Sequence, residues 1–245
     1  MITADGIEAK LGELADPARA VQEKRYLKSD LRHLGVRVPA LRKIAVAAAT
    51  GLTREELLAL TEELWNAPLH ERRMVAIEVL VRGVPLLTGD DLPVAERMIR
   101  DSLTWAYVDT LATKVAGGLV TRHPYLAGTL DRWVSDENFW IRRSALLALL
   151  PGIRAGSADL ERLARYGDAL VAEREFFIRK ALGWVLRELA GSDPAWVRTW
   201  VGDHVAVVSG VTIREAVRHL PEGDRAALLG AYRKGGPPVT PHEGE

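Results

Sequence analysis

The 245-residue chain contains no cysteine. That absence excludes disulfide scaffolds, thiolate zinc sites, iron–sulfur clusters and cysteine nucleophiles together. Net charge is also missing: 33 Lys and Arg stand against 33 Asp and Glu. The chain as a whole therefore lacks the basic surplus common in nucleic-acid-binding domains. No window approaches the run of about 20 apolar residues that spans a bilayer. The opening MITADGIEAKLGELADP is charged throughout and has no apolar signal-peptide core, so a cytoplasmic protein without membrane partners is expected. Alternating β-branched runs bounded by hairpin turns are absent, as are the P-loop, dinucleotide and nucleophile-elbow motifs. The histidines, His33, His70, His123, His204, His219 and His242, show no metal-ligand spacing. No metal and no cofactor are expected, and the histidines read as structural. With 48% hydrophobic and 27% charged residues the composition is that of a folded globular protein.

What the sequence does hold is helical periodicity. Apolar residues recur at three- and four-residue spacing in EELLALTEELW, IRRSALLALL and IRKALGWVLREL. Helix start and stop signals at Asn66–Pro68, Gly83–Pro85, His123–Pro124, Pro151–Gly152 and Ser192–Pro194 divide these runs into segments of about 10 to 18 residues. The segments also repeat. Ile141-Arg142-Arg143-Ser144, Ile178-Arg179-Lys180-Ala181 and Ile213-Arg214-Glu215-Ala216 share one pattern, at spacings of 37 and 35 residues. Thirty-six residues before Ile141 lies Trp105, and 33 before that lies Arg72. Such a period in an all-helical chain marks stacked helix pairs. The expected fold is all-α, a HEAT-like helical-repeat solenoid with a concave basic groove. It forms a single repeat domain over residues 1–234, followed by a disordered Gly/Pro-rich tail, GGPPVTPHEGE, over 235–245. Small residues at Ala76, Ser144, Ala181 and Ala216 are placed to let paired helices approach closely.

The second helix of each pair should line the concave face. Over residues 68–82, 104–122, 138–154, 174–188 and 212–220 there are fourteen Lys and Arg and six Asp and Glu, a surplus of eight positive charges on a neutral chain. A basic inner face suits a polyanion. The alternative is that these arginines cap and bridge neighbouring repeats.

Two residue types carry candidate chemistry. Trp105 and Asp109 stand at i and i+4 and share one helix face. Trp140 and Trp184 fall on later inner helices. Large aromatics are usually core, but a carboxylate inside an otherwise apolar and basic helix needs a partner or a function.

At these residues the chain resembles the AlkD-type DNA alkylation-repair glycosylases, HEAT-like proteins that excise alkylated bases from duplex DNA. The resemblance rests on KRYLKSDLRHLGVRVPALRKI (24–44), LWNAPLHERRMVAIEVL (64–80), SLTWAYVDTLATKVAGGLVTRHP (102–124), DRWVSDENFWIRRSALLALL (131–150), EFFIRKALGWVLRELAGSDPAWV (175–197) and VTIREAVRHL (211–220). It implies that Asp109 is the catalytic aspartate and that Trp105 and Trp184 flank the sugar of the lesion nucleotide. It also implies that Tyr26, Arg143 and Arg187 contact DNA. The chain departs from the family at Thr104, where relatives often carry a second aromatic before the tryptophan. The implied activity is hydrolysis of the N-glycosidic bond of cationic N3- or N7-alkylated purines without base flipping, leaving an abasic site. The implied partner is duplex DNA containing alkylated bases, bound by a monomer. The alternative is a non-catalytic repeat protein that binds damaged or branched DNA.

Overall fold

The helix ends are written in the local chemistry. Thr53 opens the helix Arg54–Trp65 with a capping box: its hydroxyl accepts the Glu56 N–H at 3.2 Å, and the Glu56 carboxylate accepts the Thr53 N–H at 2.9 Å. Asp16, Asn138, Asp193 and Ser209 cap the helices that follow them with a single side-chain bond to a first-turn N–H. Pro17 and Pro194 occupy the first turns of theirs, where no backbone donor is needed. The computed structural model describes residues 3–237, and these are helical with no strand. One parallel bridge joins Arg32 to Leu69. None of the described helices is long and apolar enough to cross a membrane.

The chain divides between Leu126 and Ala127 into two compact units. In the first, the helices Val38–Ala49 and Arg54–Trp65 both pack on His70–Gly83. That helix is consequently buried along most of its length. The helix Leu92–Arg100 packs on the middle of a longer helix that runs from Trp105 to Arg122. In the second unit, Phe176–Ala190 is the central element, with Gly210–Ala216, Phe139–Leu147 and Leu150–Arg154 against it. A Cβ at Gly183 would sit 3.0 Å from the Thr212 carbonyl oxygen, so glycine lets the first two of these approach closely. The single domain expected over 1–234 is thus described as these two units. The last helix, Glu222–Gly235, reaches into the expected tail, and residues 238–245 of that tail lie outside the described residues.

The repeat is visible in what ties the helices together. Arg42 to Glu78, Arg54 to Asp91 and His70 to Tyr107 are pairs 36, 37 and 37 residues apart in the first unit. Asp131 to Tyr166 and Arg154 to Glu188 are 35 and 34 apart in the second. Each links equivalent positions of successive repeats. Ile141, Ile178 and Ile213, the apolar leaders of the repeated pattern, are all 0% exposed. Each contributes about 1.5–3 kcal/mol by burial. The four small residues expected at helix contacts, Ala76, Ser144, Ala181 and Ala216, are fully buried as well.

Candidate active site

The helix bearing Trp105 and Asp109 starts at a defined point. Thr104 caps it, its hydroxyl accepting the Ala106 N–H at 3.4 Å, which gives the non-aromatic residue at this position a structural role. Tyr107 and Val108 turn inward and are buried, while Trp105 and Asp109 share the partly exposed face. After Thr110 the helix changes hydrogen-bonding pattern. Leu111–Ala116 form a π-helical turn before α-geometry resumes at Gly117. Turns of this kind occur mostly inside α-helices and are frequent at functional sites. Inside it, the Thr113 hydroxyl donates to the Asp109 carbonyl at 2.6 Å and ties down the backbone that presents the carboxylate.

Tyr26 meets Trp105 edge to face, with ring centroids 6.0 Å apart and planes at 88°. Tyr26 is 71% exposed, so the pair presents an aromatic edge to solvent. Beside it lies a cleft of about 440 Å³, lined by Tyr26, Trp105, Thr110, Met74, Glu23 and His70 among others. All of this belongs to the first unit.

Beneath the cleft is a cluster that sequence spacing does not reveal. Glu23, His33 and His70 bring ligand atoms within 4.8 Å of one another. The two imidazoles, however, stack face to face, 4.2 Å between centroids and 10° between planes. Nearly parallel rings at that distance cannot both aim their in-plane lone pairs at one ion, so the arrangement does not fit a metal. His70 Nδ1 lies 2.6 Å from the Tyr107 hydroxyl. Burial, helped by the charge of His33, lowers the pKa of His70 to about 3, and burial raises that of Tyr107. Both are neutral at pH 7, so the two groups share a single hydrogen bond whose direction follows the imidazole tautomer.

In the second unit, Trp184 is partly exposed on the helix Phe176–Ala190. Its indole N–H donates to Glu188 at 3.2 Å, and the Arg154 guanidinium lies 5.9 Å from its ring. Glu188 also accepts from Arg154 Nε at 2.8 Å. Burial works to raise the Glu188 carboxyl, but Arg154, Trp184 and Arg187 outweigh it and hold the group below the usual carboxylate range. Arg187 pairs with Glu215. Arg143 is only 4% exposed, donates to the Phe177 carbonyl and lies 5.9 Å from the Phe177 ring.

Many cations of the basic inner segments therefore have structural partners. Arg72 pairs with Glu8, Arg142 with Glu173 and Arg218 with Glu215, while Arg73, Arg122 and Arg179 donate to main-chain carbonyls. For these residues the bridging alternative is what the structure displays. Lys114, Lys180 and Arg214 are exposed instead. Lys180, Arg214 and Arg218 line a shallow cavity of about 460 Å³ with Phe176, Val211 and Glu215. Lys180, Trp184 and Arg187 share one face of their helix, at i, i+4 and i+7. Trp140, in contrast, is 6% exposed and packs against Phe139 and Phe177 as a core residue.

A family model described as DNA alkylation repair enzyme matches residues 7–220. Among solved structures, the chain is similar to one described as a predicted DNA alkylation repair enzyme from Enterococcus faecalis. The two are 24% identical with a TM-score of 0.77, covering 85% of this chain and 97% of that one. It is also similar to AlkD2 from Streptococcus mutans, at 16% identity and a TM-score of 0.60, over 82% of this chain and 99% of that one. A third structure, smu.31 from Streptococcus mutans, is 15% identical with a TM-score of 0.58, over 75% and 93% of the two chains. These likenesses establish the all-α repeat fold. No curated protein sequence matches the chain.

Proposed function

Because the chain belongs to the DNA alkylation repair enzyme family, we propose that it is a DNA glycosylase for cationic alkylpurines in duplex DNA. The observation that carries the proposal is the shared face of Trp105 and Asp109, partly exposed beside Tyr26, with the Asp109 backbone held by Thr113.

An N3- or N7-alkylated purine bears a positive charge and leaves with the electron pair of its glycosidic bond as a neutral base. It needs little protonation, which removes the requirement for a general acid. The deoxyribose left behind is oxocarbenium-like and positive. A carboxylate at Asp109 stabilises that charge and orients the water whose oxygen bonds to C1′, and the water's second proton passes to the carboxylate or to solvent. The indole face of Trp105 attracts the same positive sugar, contributing about 0.5–2 kcal/mol. Contacts run to sugar and phosphate rather than around the base, so no flipped-base pocket is required. In this reading Tyr26 and Arg187 contact the DNA backbone, while Arg143, buried on the Phe177 carbonyl, would have to leave that contact to do the same. Arg187 must then exchange or share Glu215 with a phosphate, and the exposed Lys180 and Arg214 add charge on the same unit.

Selection by bond lability makes a specific prediction. Duplexes carrying N7-methylguanine or N3-methyladenine are expected to lose the modified base, and a matched duplex carrying uracil, a neutral base, is expected to be left intact. Chromatography of the released bases checks this, and comparable release of uracil would overturn selection by leaving-group charge.

A further inference from the structure

The helix Pro17–Leu27, which carries Tyr26, buries only Ala20 and Leu27. So few apolar anchors hold a helix loosely, and its orientation depends on the polar contacts it makes inward. Its main inward polar side chain is Glu23. Glu23 Oε2 lies 3.5 Å from His33 Nδ1 and 4.0 Å from His70 Nε2. The far side of His70, Nδ1, hydrogen-bonds the Tyr107 hydroxyl at 2.6 Å. Tyr107 stands between Trp105 and Asp109 on the helix that presents both. A continuous series of contacts therefore runs from the Tyr26 helix through the Glu23–His33 pair, across the His33–His70 stack, and on through Tyr107 to the Asp109 helix. His33, its side chain only 1% exposed, stacks on His70 and fixes the plane of that ring.

His70 is itself held from two sides. Its N–H donates to the Arg32 carbonyl at 2.9 Å, within the bridge that joins residues 32 and 69. Its neighbour Glu71 accepts the N–H groups of Leu34, Gly35 and Val36. Burial keeps the imidazole neutral, so no charge develops on His70 at neutral pH.

We propose that Glu23, His33, His70 and Tyr107 form a buried clasp that sets the Trp105–Asp109 helix against the Tyr26 helix, with His70 a positioning residue for base excision. The proposal rests on the glycosylase reading for its kinetic consequence but not for its structural one. If the clasp acts this way, losing it misaims Asp109 and Trp105 while leaving the DNA-contacting cations in place. The chemical step should then suffer more than binding.

The test uses Tyr107→Phe, His70→Leu and His70→Asn in the full chain. Asn places its side-chain amide near the position of Nδ1, and that amide can accept from or donate to the Tyr107 hydroxyl. Single-turnover release of N7-methylguanine at saturating protein is expected to fall about tenfold or more in Tyr107→Phe and His70→Leu, with Kd for lesion-free duplex within about twofold of wild type. His70→Asn is expected to regain most of the rate. A second readout needs no activity: the indole N–H resonance of Trp105, identified by its loss in Trp105→Phe, should shift in Tyr107→Phe and return toward its wild-type position in His70→Asn. An active wild type with an unchanged rate in Tyr107→Phe would overturn the clasp. An unmoved Trp105 resonance would overturn it even if the wild type released no base, an outcome that would separately defeat the glycosylase reading.

Discussion

Asp109→Asn is expected to release N7-methylguanine about 10²–10³-fold more slowly than the wild type, equivalent to roughly 3–4 kcal/mol of barrier. The substitution is nearly isosteric, and the Thr113 hydroxyl bonds the Asp109 main-chain carbonyl, which the change leaves intact. What is lost is the negative charge facing a sugar that becomes positive only as the bond breaks. An interaction made chiefly in the transition state lowers the rate without weakening substrate binding when it is removed. Affinity for lesion-free duplex should therefore hold or tighten, since a carboxylate near phosphates is repulsive in the bound state. Single-turnover base release and fluorescence anisotropy on the same preparations separate the two effects. Equal release by both proteins would remove Asp109 from the mechanism.

The second large effect concerns stability. Glu71 is 0% exposed, and its carboxylate accepts three consecutive main-chain N–H groups: Leu34 at 2.9 and 3.0 Å, Gly35 at 2.6 Å and Val36 at 3.3 Å. The loop that carries them follows the Tyr26 helix, and its geometry is demanding. Gly35 has φ +80°, and a Cβ there would sit 2.2 Å from the Asp16 carbonyl oxygen. Glu71→Ala strands three buried donors at about 1–3 kcal/mol each, so a loss on the order of 3–5 kcal/mol is expected. Against a typical total of about 5–15 kcal/mol, that brings the fold near its limit. Glu71→Gln should recover part of the loss, since one acceptor oxygen remains while the new amide turns a donor toward donors. Urea unfolding followed by circular dichroism measures both variants, and a change below about 1 kcal/mol in Glu71→Ala would contradict this account of the loop.

The sequence made some of this legible and hid the rest for physical reasons. Helices, their period and their buried leaders follow from apolar spacing, and Ile141, Ile178 and Ile213 occupy the core as that spacing requires. The shared face of Trp105 and Asp109 follows from the i, i+4 rule. The partners of the arginines do not follow from local pattern. Arg187 and Glu215 are 28 residues apart, Arg142 meets a glutamate outside its own helix, and only the packed repeats bring them together. A surplus of eight positive charges counted along the inner segments therefore overstates the free charge, because much of it is spent between repeats. The His33–His70 stack was hidden for the same reason, since Glu23, His33 and His70 come from three separate segments. The π-helical turn after Asp109 has no marker in LATKVA that apolar periodicity could pick out.

The central claim is that the protein cuts the glycosidic bond, as opposed to holding the lesion or restoring the base in place. Mass spectrometry of the products from a duplex with one N7-methylguanine tests this most directly. The account predicts free 7-methylguanine and an abasic strand in equal amounts, formed well above the spontaneous rate. An intact modified strand in a stable complex, or guanine restored within the duplex, would contradict it.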